Sequence, residues 1–217
     1  MTSAMSVYDF FGYTIPGGLY LFAIAYLLTI FQVIMIDFKS IEFSSAQIVV
    51  YTILAYIAGA VFDPFSYVWY QRFFKPDNIS ATTLEEFKKN NSKVEVKFEA
   101  RDWPILLAFI RQESIQVAAN IQRYQATFIM FRNIGFSLLI FSLLQAISLI
   151  VLMIINSFLP WLLISSIACL VFSTVAGKKS AQFDKWFYTM LYEAIAARGL
   201  EIADLVKKIP TPTESSK

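Results

Sequence analysis

"NIGFSLLIFSLLQAISLIVLMIIN", positions 133–156, holds no Lys, Arg, Asp or Glu between its two asparagines. A hydrocarbon core of about 30 Å takes about 20 residues of helix, and this run has that length. Its apolar residues follow one another without the alternation of a half-buried strand. A membrane-spanning helix is the reading that fits.

Three further stretches, at 17–36, 46–62 and 159–176, are also free of formal charge. With the run at 134–155 they make four spans. The whole chain agrees, with 217 residues, 57% hydrophobic and 16% charged. Soluble domains carry about 25% charge, and a water-soluble fold this apolar would lack the core to hold its side chains. Charge also orients the spans. Positions 65–132 hold ten Lys and Arg and positions 177–217 hold seven, leaving Lys39 alone on the other side. Basic loops stay in the cytoplasm, so both termini are expected there, in a bacterial inner membrane. The first sixteen residues hold no Lys or Arg, so the first span is expected to be kept rather than cleaved as a signal peptide.

Between and beyond the spans the chain is expected to be mainly helical. Residues 1–16 read as an aromatic interfacial segment. Pro16, Gly17 and Gly18 then mark a turn into the first span, since proline suits a first helical turn and glycine a change of direction. Residues 65–132 form a cytoplasmic region. In it Thr82 or Thr83 is placed to cap a short helix, and "SKVEVKFEAR" alternates with Val94, Val96 and Phe98 on one face. A lone strand lacks a partner in the chain, so this segment reads as an extended loop or as an intersubunit strand. Residues 103–132 read as a helix running on into the third span. Residues 177–208 form a C-terminal helix with Phe183, Phe187, Leu191 and Ile195 on one stripe, and 209–217 a disordered tail. The fold class is an all-α integral membrane protein with four transmembrane helices. One copy is expected to have too little partner surface for both long helices, which argues for a homo-oligomer.

Function is narrowed first by exclusion. Histidine is absent and Cys169 is the single cysteine, which removes Cys/His zinc sites, disulfides and histidine acid–base chemistry. No phosphate loop or nucleophile motif occurs, so the sequence implies no catalytic residue, metal or cofactor. Asp63, Asp102, Glu113 and Tyr124 could carry chemistry only in a constellation that the spacing does not show.

The polar residues of the third span are the informative ones. At about 100° per residue, Asn133, Ser137, Gln145, Ser148 and Asn156 share an arc of about 140°, with Phe141 and Leu152 on the same side. Two readings stay open. The arc supplies interhelical hydrogen bonds in a bundle, or it lines an uncharged pore in a ring of subunits that Phe141 and Leu152 close by dewetting. Ser165, Ser166, Ser173 and Thr174 on the fourth span suit either. Arg132, Lys178 and Lys179 flank these spans. They read as anchors to anionic membrane lipids, or as a basic ring that receives an anionic ligand.

The layout, with "GYTIPGGLYL" near the start and "IQRYQATFIMFRN" leading into the third span, resembles small membrane effectors of bacterial anti-phage systems. The Hailong-type effector is the first candidate and the Kiwa membrane subunit the second. The resemblance implies a homo-oligomeric channel held shut until a nucleotide or oligonucleotide binds its cytoplasmic face, and it carries over no individual residue. The alternative is a membrane anchor or scaffold that recruits a soluble partner of such a defence system.

Overall fold

The computed structural model describes residues 7–30, 44–92, 96, 98–154 and 160–197. They form six α-helices: α1 (Val7–Ile30), α2 (Ser45–Phe73), α3 (Ile79–Asn90), α4 (Trp103–Glu113), α5 (Ile115–Ile154) and α6 (Pro160–Ala196). A single 3-10 turn, Ala100–Asp102, precedes α4. Among the described residues there is no strand. Helices α1, α2, α5 and α6 are long and apolar enough to cross a membrane.

The chain divides into two compact units. The first comprises the described residues up to Lys75 together with Ala126–Gln182; the second comprises Pro76–Gln125 with the described residues from Phe183. Both α5 and α6 contribute to each.

In the first unit α1 corrects the expected turn at Pro16. The helix runs unbroken from Val7 through Pro16, Gly17 and Gly18, and Pro16 is fully buried. The glycines serve packing instead. A Cβ on Gly17 would overlap the Ala55 carbonyl oxygen of α2, and one on Gly59 would overlap the Tyr13 carbonyl oxygen of α1. Small residues of this kind let two backbones touch where the hydrophobic effect supplies no attraction between helices. Tyr51 seals the same contact, donating its hydroxyl to the Gly18 carbonyl at 3.2 Å.

Helix α2 opens on a capping box. Ser44 Oγ accepts from the Gln47 amide at 3.4 Å, and Gln47 Oε1 accepts from the Ser44 amide at 2.9 Å. The helix does not end near Phe62 as expected but continues through Pro64 to Phe73, burying Ser66, Trp69 and Tyr70. Helix α6 likewise joins the fourth span and the C-terminal helix into one element, with Gly177 seated under the Phe74 ring. Gly199 and the 198–217 tail lie outside the described residues.

The second unit has a core of its own. Leu84 and Phe87 of α3, Leu106 and Ile110 of α4, Ala118 and Ile121 of α5, and Phe187, Leu191, Tyr192 and Ile195 of α6 pack with Phe98. The apolar stripe of α6 therefore finds its partner within the same chain, and it gives no argument for a second copy. The expected continuous helix over 103–132 is broken at Ser114, whose extended backbone ends α4 and whose Oγ accepts from the Val117 amide at 3.4 Å to start α5. Helix α3 begins at Ile79, after the left-handed Asn78, so Thr82 and Thr83 lie inside it rather than at its cap. Each returns its hydroxyl to a carbonyl one turn back. Of the alternating segment, Val94 lies outside the described residues, Val96 is half-buried, and Phe98 packs on the Tyr192 ring at 5.5 Å.

Candidate functional site: a polar seam along α5

The polar arc of α5 turns inward. Asn133, Ser137, Gln145 and Ser148 are all buried, whereas Leu143, Ile147 and Ile150 on the opposite side are exposed. From Asn133 to Ser148 the seam runs for about 22 Å at the helical rise, most of a hydrocarbon core. Phe141 sits within the arc and packs against α1, its ring 5.5 Å from Phe22 and 5.2 Å from Tyr26. Leu152 is half-buried, and Asn156 lies outside the described residues.

Helix α6 closes another side. Ser142 donates to the Ser166 carbonyl at 2.9 Å, and Ser166 donates back to the Ser142 carbonyl at 3.0 Å. Ser173 donates to the Gly135 carbonyl at 2.7 Å, where the absent side chain lets the helices meet. Ser165 and Thr174 return their hydroxyls to their own helix. Gln145 is the exception. Its Oε1 is buried without a hydrogen-bond partner, which costs about 1–3 kcal/mol against a satisfied group.

At one end of the seam three helices converge on charge. Arg132, 5% exposed at its side chain, pairs with Asp63 of α2. Its Nε donates to Ser66 Oγ at 3.2 Å, and its guanidinium lies over the Tyr67 and Phe128 rings at 5.2 and 5.1 Å. Asn133 Nδ2 donates to the same Asp63 oxygen at 3.0 Å, and Ser66 hydrogen-bonds Asn133 Oδ1. Tyr20 of α1 donates to the Asn133 carbonyl at 3.2 Å and stacks on Phe62 at 4.4 Å. A buried guanidinium paired with a half-buried carboxylate, with Ser66 and Asn133 hydrogen-bonded to them, is how a charge is held among apolar helices.

The structure thus separates the three flanking cations. Arg132 is internal, while Lys178 and Lys179 are exposed, with Lys179 Nζ donating to Gln182 at 3.0 Å. Asp63 and Arg132 fall just outside the apolar runs at 46–62 and 134–155, so the sequence alone does not reveal their pairing. The signal lay in Asp63 and Ser66, three apart on one helical face and flanked by aromatics, opposite a basic residue entering the next span. The other residues named for chemistry make contacts of other kinds. Asp102 Oδ2 accepts from the Glu99 amide at 2.8 Å, Tyr124 packs on Trp186 at 6.1 Å, and Glu113 is exposed at the end of α4.

No protein family, curated protein or solved structure matches this chain.

Proposed function

We propose that the protein is an ion channel of a bacterial inner membrane, shut in the conformation described, and a homo-oligomer as the resemblance to defence effectors implies. The single observation that carries this reading is the buried seam with the unsatisfied Gln145 oxygen one helical turn from its Ser148 end. An anchor requires only apolar helices. A path for ions requires oxygen atoms along the membrane normal, and a shut path leaves some of them unpaired. Opening is a shift toward a state in which α1 parts from α5 at Phe141, so that Ser137, Gln145 and Ser148 meet water. The second unit and both termini face the cytoplasm, as the basic residues direct. A nucleotide or oligonucleotide is the opening ligand that the resemblance to defence effectors points to. The exposed Lys178 and Lys179 are the flanking cations open to such an anion.

Proteoliposomes loaded with potassium test the channel. Phe141→Ala removes the ring between Phe22 and Tyr26 and should leak, while the unaltered protein holds its gradient. If the Phe141→Ala protein also stays tight, the channel reading falls. A second reading, a membrane anchor for a soluble partner, is favoured by the reciprocal Ser142–Ser166 bonds, which need no ion to explain them. It takes over if a partner co-purifies stoichiometrically and no flux is found.

A further inference from the structure

In the first unit the four long helices meet as two pairs. Helices α1 and α2 touch backbone to backbone at Gly17 and Gly59, with the Tyr13 and Tyr56 rings packed edge to face at 5.7 Å. Helices α5 and α6 are joined by the Ser142–Ser166 and Ser173–Gly135 bonds, and Ser180 of α6 donates to the Phe128 carbonyl of α5 at 3.2 Å. The boundary between the pairs is built differently. Much of it is rings, with Tyr70 on Phe128 at 5.0 Å, Trp69 on Phe136 at 6.1 Å and Phe22 on Phe141 at 5.5 Å. Directional bonds across it gather at two neighbouring residues of α5, and Tyr26 of α1 hydrogen-bonds Ser148 farther along. Arg132 reaches Asp63 and Ser66 of α2, and Asn133 reaches the same two side chains. The Asn133 carbonyl accepts the Tyr20 hydroxyl of α1 at 3.2 Å.

We infer that the Arg132–Asn133 network is a latch that holds the seam shut, and that α1–α2 and α5–α6 part as two bodies when it releases. Ring contacts have little preferred direction and re-form after a small slide, whereas hydrogen bonds fix one register. A latch of this composition is also releasable. An apolar contact that opens to water forfeits its burial, but a polar one exchanges protein partners for water and loses little net. Asp63, 26% exposed at its side chain, gives water a way to the pair, so opening hydrates Arg132 instead of stranding it. Tyr20 is the positioning residue of the latch. Its hydroxyl ties α1, whose Phe22 and Tyr26 cover Phe141, to the network. This inference rests on the channel reading.

Potassium loss from proteoliposomes tests the latch with two matched variants. Tyr20→Phe and Ser180→Ala each delete one hydroxyl that donates to a helix carbonyl at 3.2 Å, the first between the pairs and the second within one. Tyr20→Phe should raise the rate of loss about fivefold, the population change that one hydrogen bond of the shut state supplies, while Ser180→Ala matches the unaltered protein. If Tyr20→Phe does not assemble, Ser66→Ala takes its place, since it deprives Arg132 and Asn133 of one partner and keeps the charges paired. Phe141→Ala is the reference for the channel itself. A tight Tyr20→Phe beside a leaking Phe141→Ala overturns the latch and leaves the channel standing, and so does equal leak from Tyr20→Phe and Ser180→Ala. Whenever Phe141→Ala holds its gradient, the channel reading fails and the latch with it.

Discussion

Asp63 and Arg132 show how one side chain's value depends on its neighbour. Asp63→Asn removes the counter-charge of a buried guanidinium, and with Asp63 itself 26% exposed it should destabilise the protein by less than the about 3–5 kcal/mol of a fully buried pair. Replacing both partners, Asp63→Leu with Arg132→Met, should cost much less than the single change, because no charge is stranded. Thermal unfolding in detergent compares the two, and equal losses would mean that the pair is not buried as described. Gln145 predicts the opposite sign. Gln145→Met keeps the volume and removes an oxygen that has no partner, so unfolding should shift up by about 1 kcal/mol. A downward shift would mean that the amide oxygen is satisfied. A gain in stability together with a loss of flux is the pattern expected of a residue kept for function.

Helix pairs obey a steric rule that single residues do not reveal. Four glycines sit where two elements touch: Gly17 and Gly59 between α1 and α2, Gly135 against Trp69 and Ser173, and Gly177 under Phe74. Gly17→Ala and Gly59→Ala each drive a methyl into a backbone carbonyl that cannot swing aside, so both should cost about 3 kcal/mol or more. Gly12 is the internal control. A Cβ there would meet the Ala126 carbonyl oxygen at an ordinary 3.7 Å, so Gly12→Ala should be neutral or gain up to about 1 kcal/mol from helix propensity. Equal effects at positions 12, 17 and 59 would contradict the close α1–α2 crossing.

Across the chain, two units carry two kinds of core. The first exposes apolar residues such as Ile53, Ile57 and Val61 of α2, which suits lipid rather than water. The second has a buried apolar core as a soluble helical module does, with Leu191, Tyr192 and Ile195 fully inside. Leu191→Ala should therefore destabilise the second unit by about 2–5 kcal/mol, read as faster amide exchange over α3 and α4. Reporter fusions after residue 217 and at Lys39 test the orientation. The first should report the cytoplasm and the second the opposite side, and the reverse pattern would invert the topology.

That four helices are long and apolar enough to cross a membrane was legible from the sequence, because an apolar run of about 20 residues has few alternatives to such a helix. The polar arc of α5 was legible too, since helical periodicity depends on nothing but spacing. Where that arc points is a different matter. Spacing says that Ser137, Gln145 and Ser148 share a face; only the packing of α1 and α6 decides that the face is inward, with Phe141 on Phe22 and Ser142 on Ser166. The same limit explains "GYTIPGG". Proline and glycine read locally as breakers, yet the helix runs through them, and Gly17 admits the Ala55 carbonyl from a helix nearly forty residues away. Asp63 meeting Arg132 lies beyond any local pattern as well. Local chemistry sets what each helix is, whereas contacts between residues distant in the chain set which face it hides, because those contacts form only once the helices have been brought together.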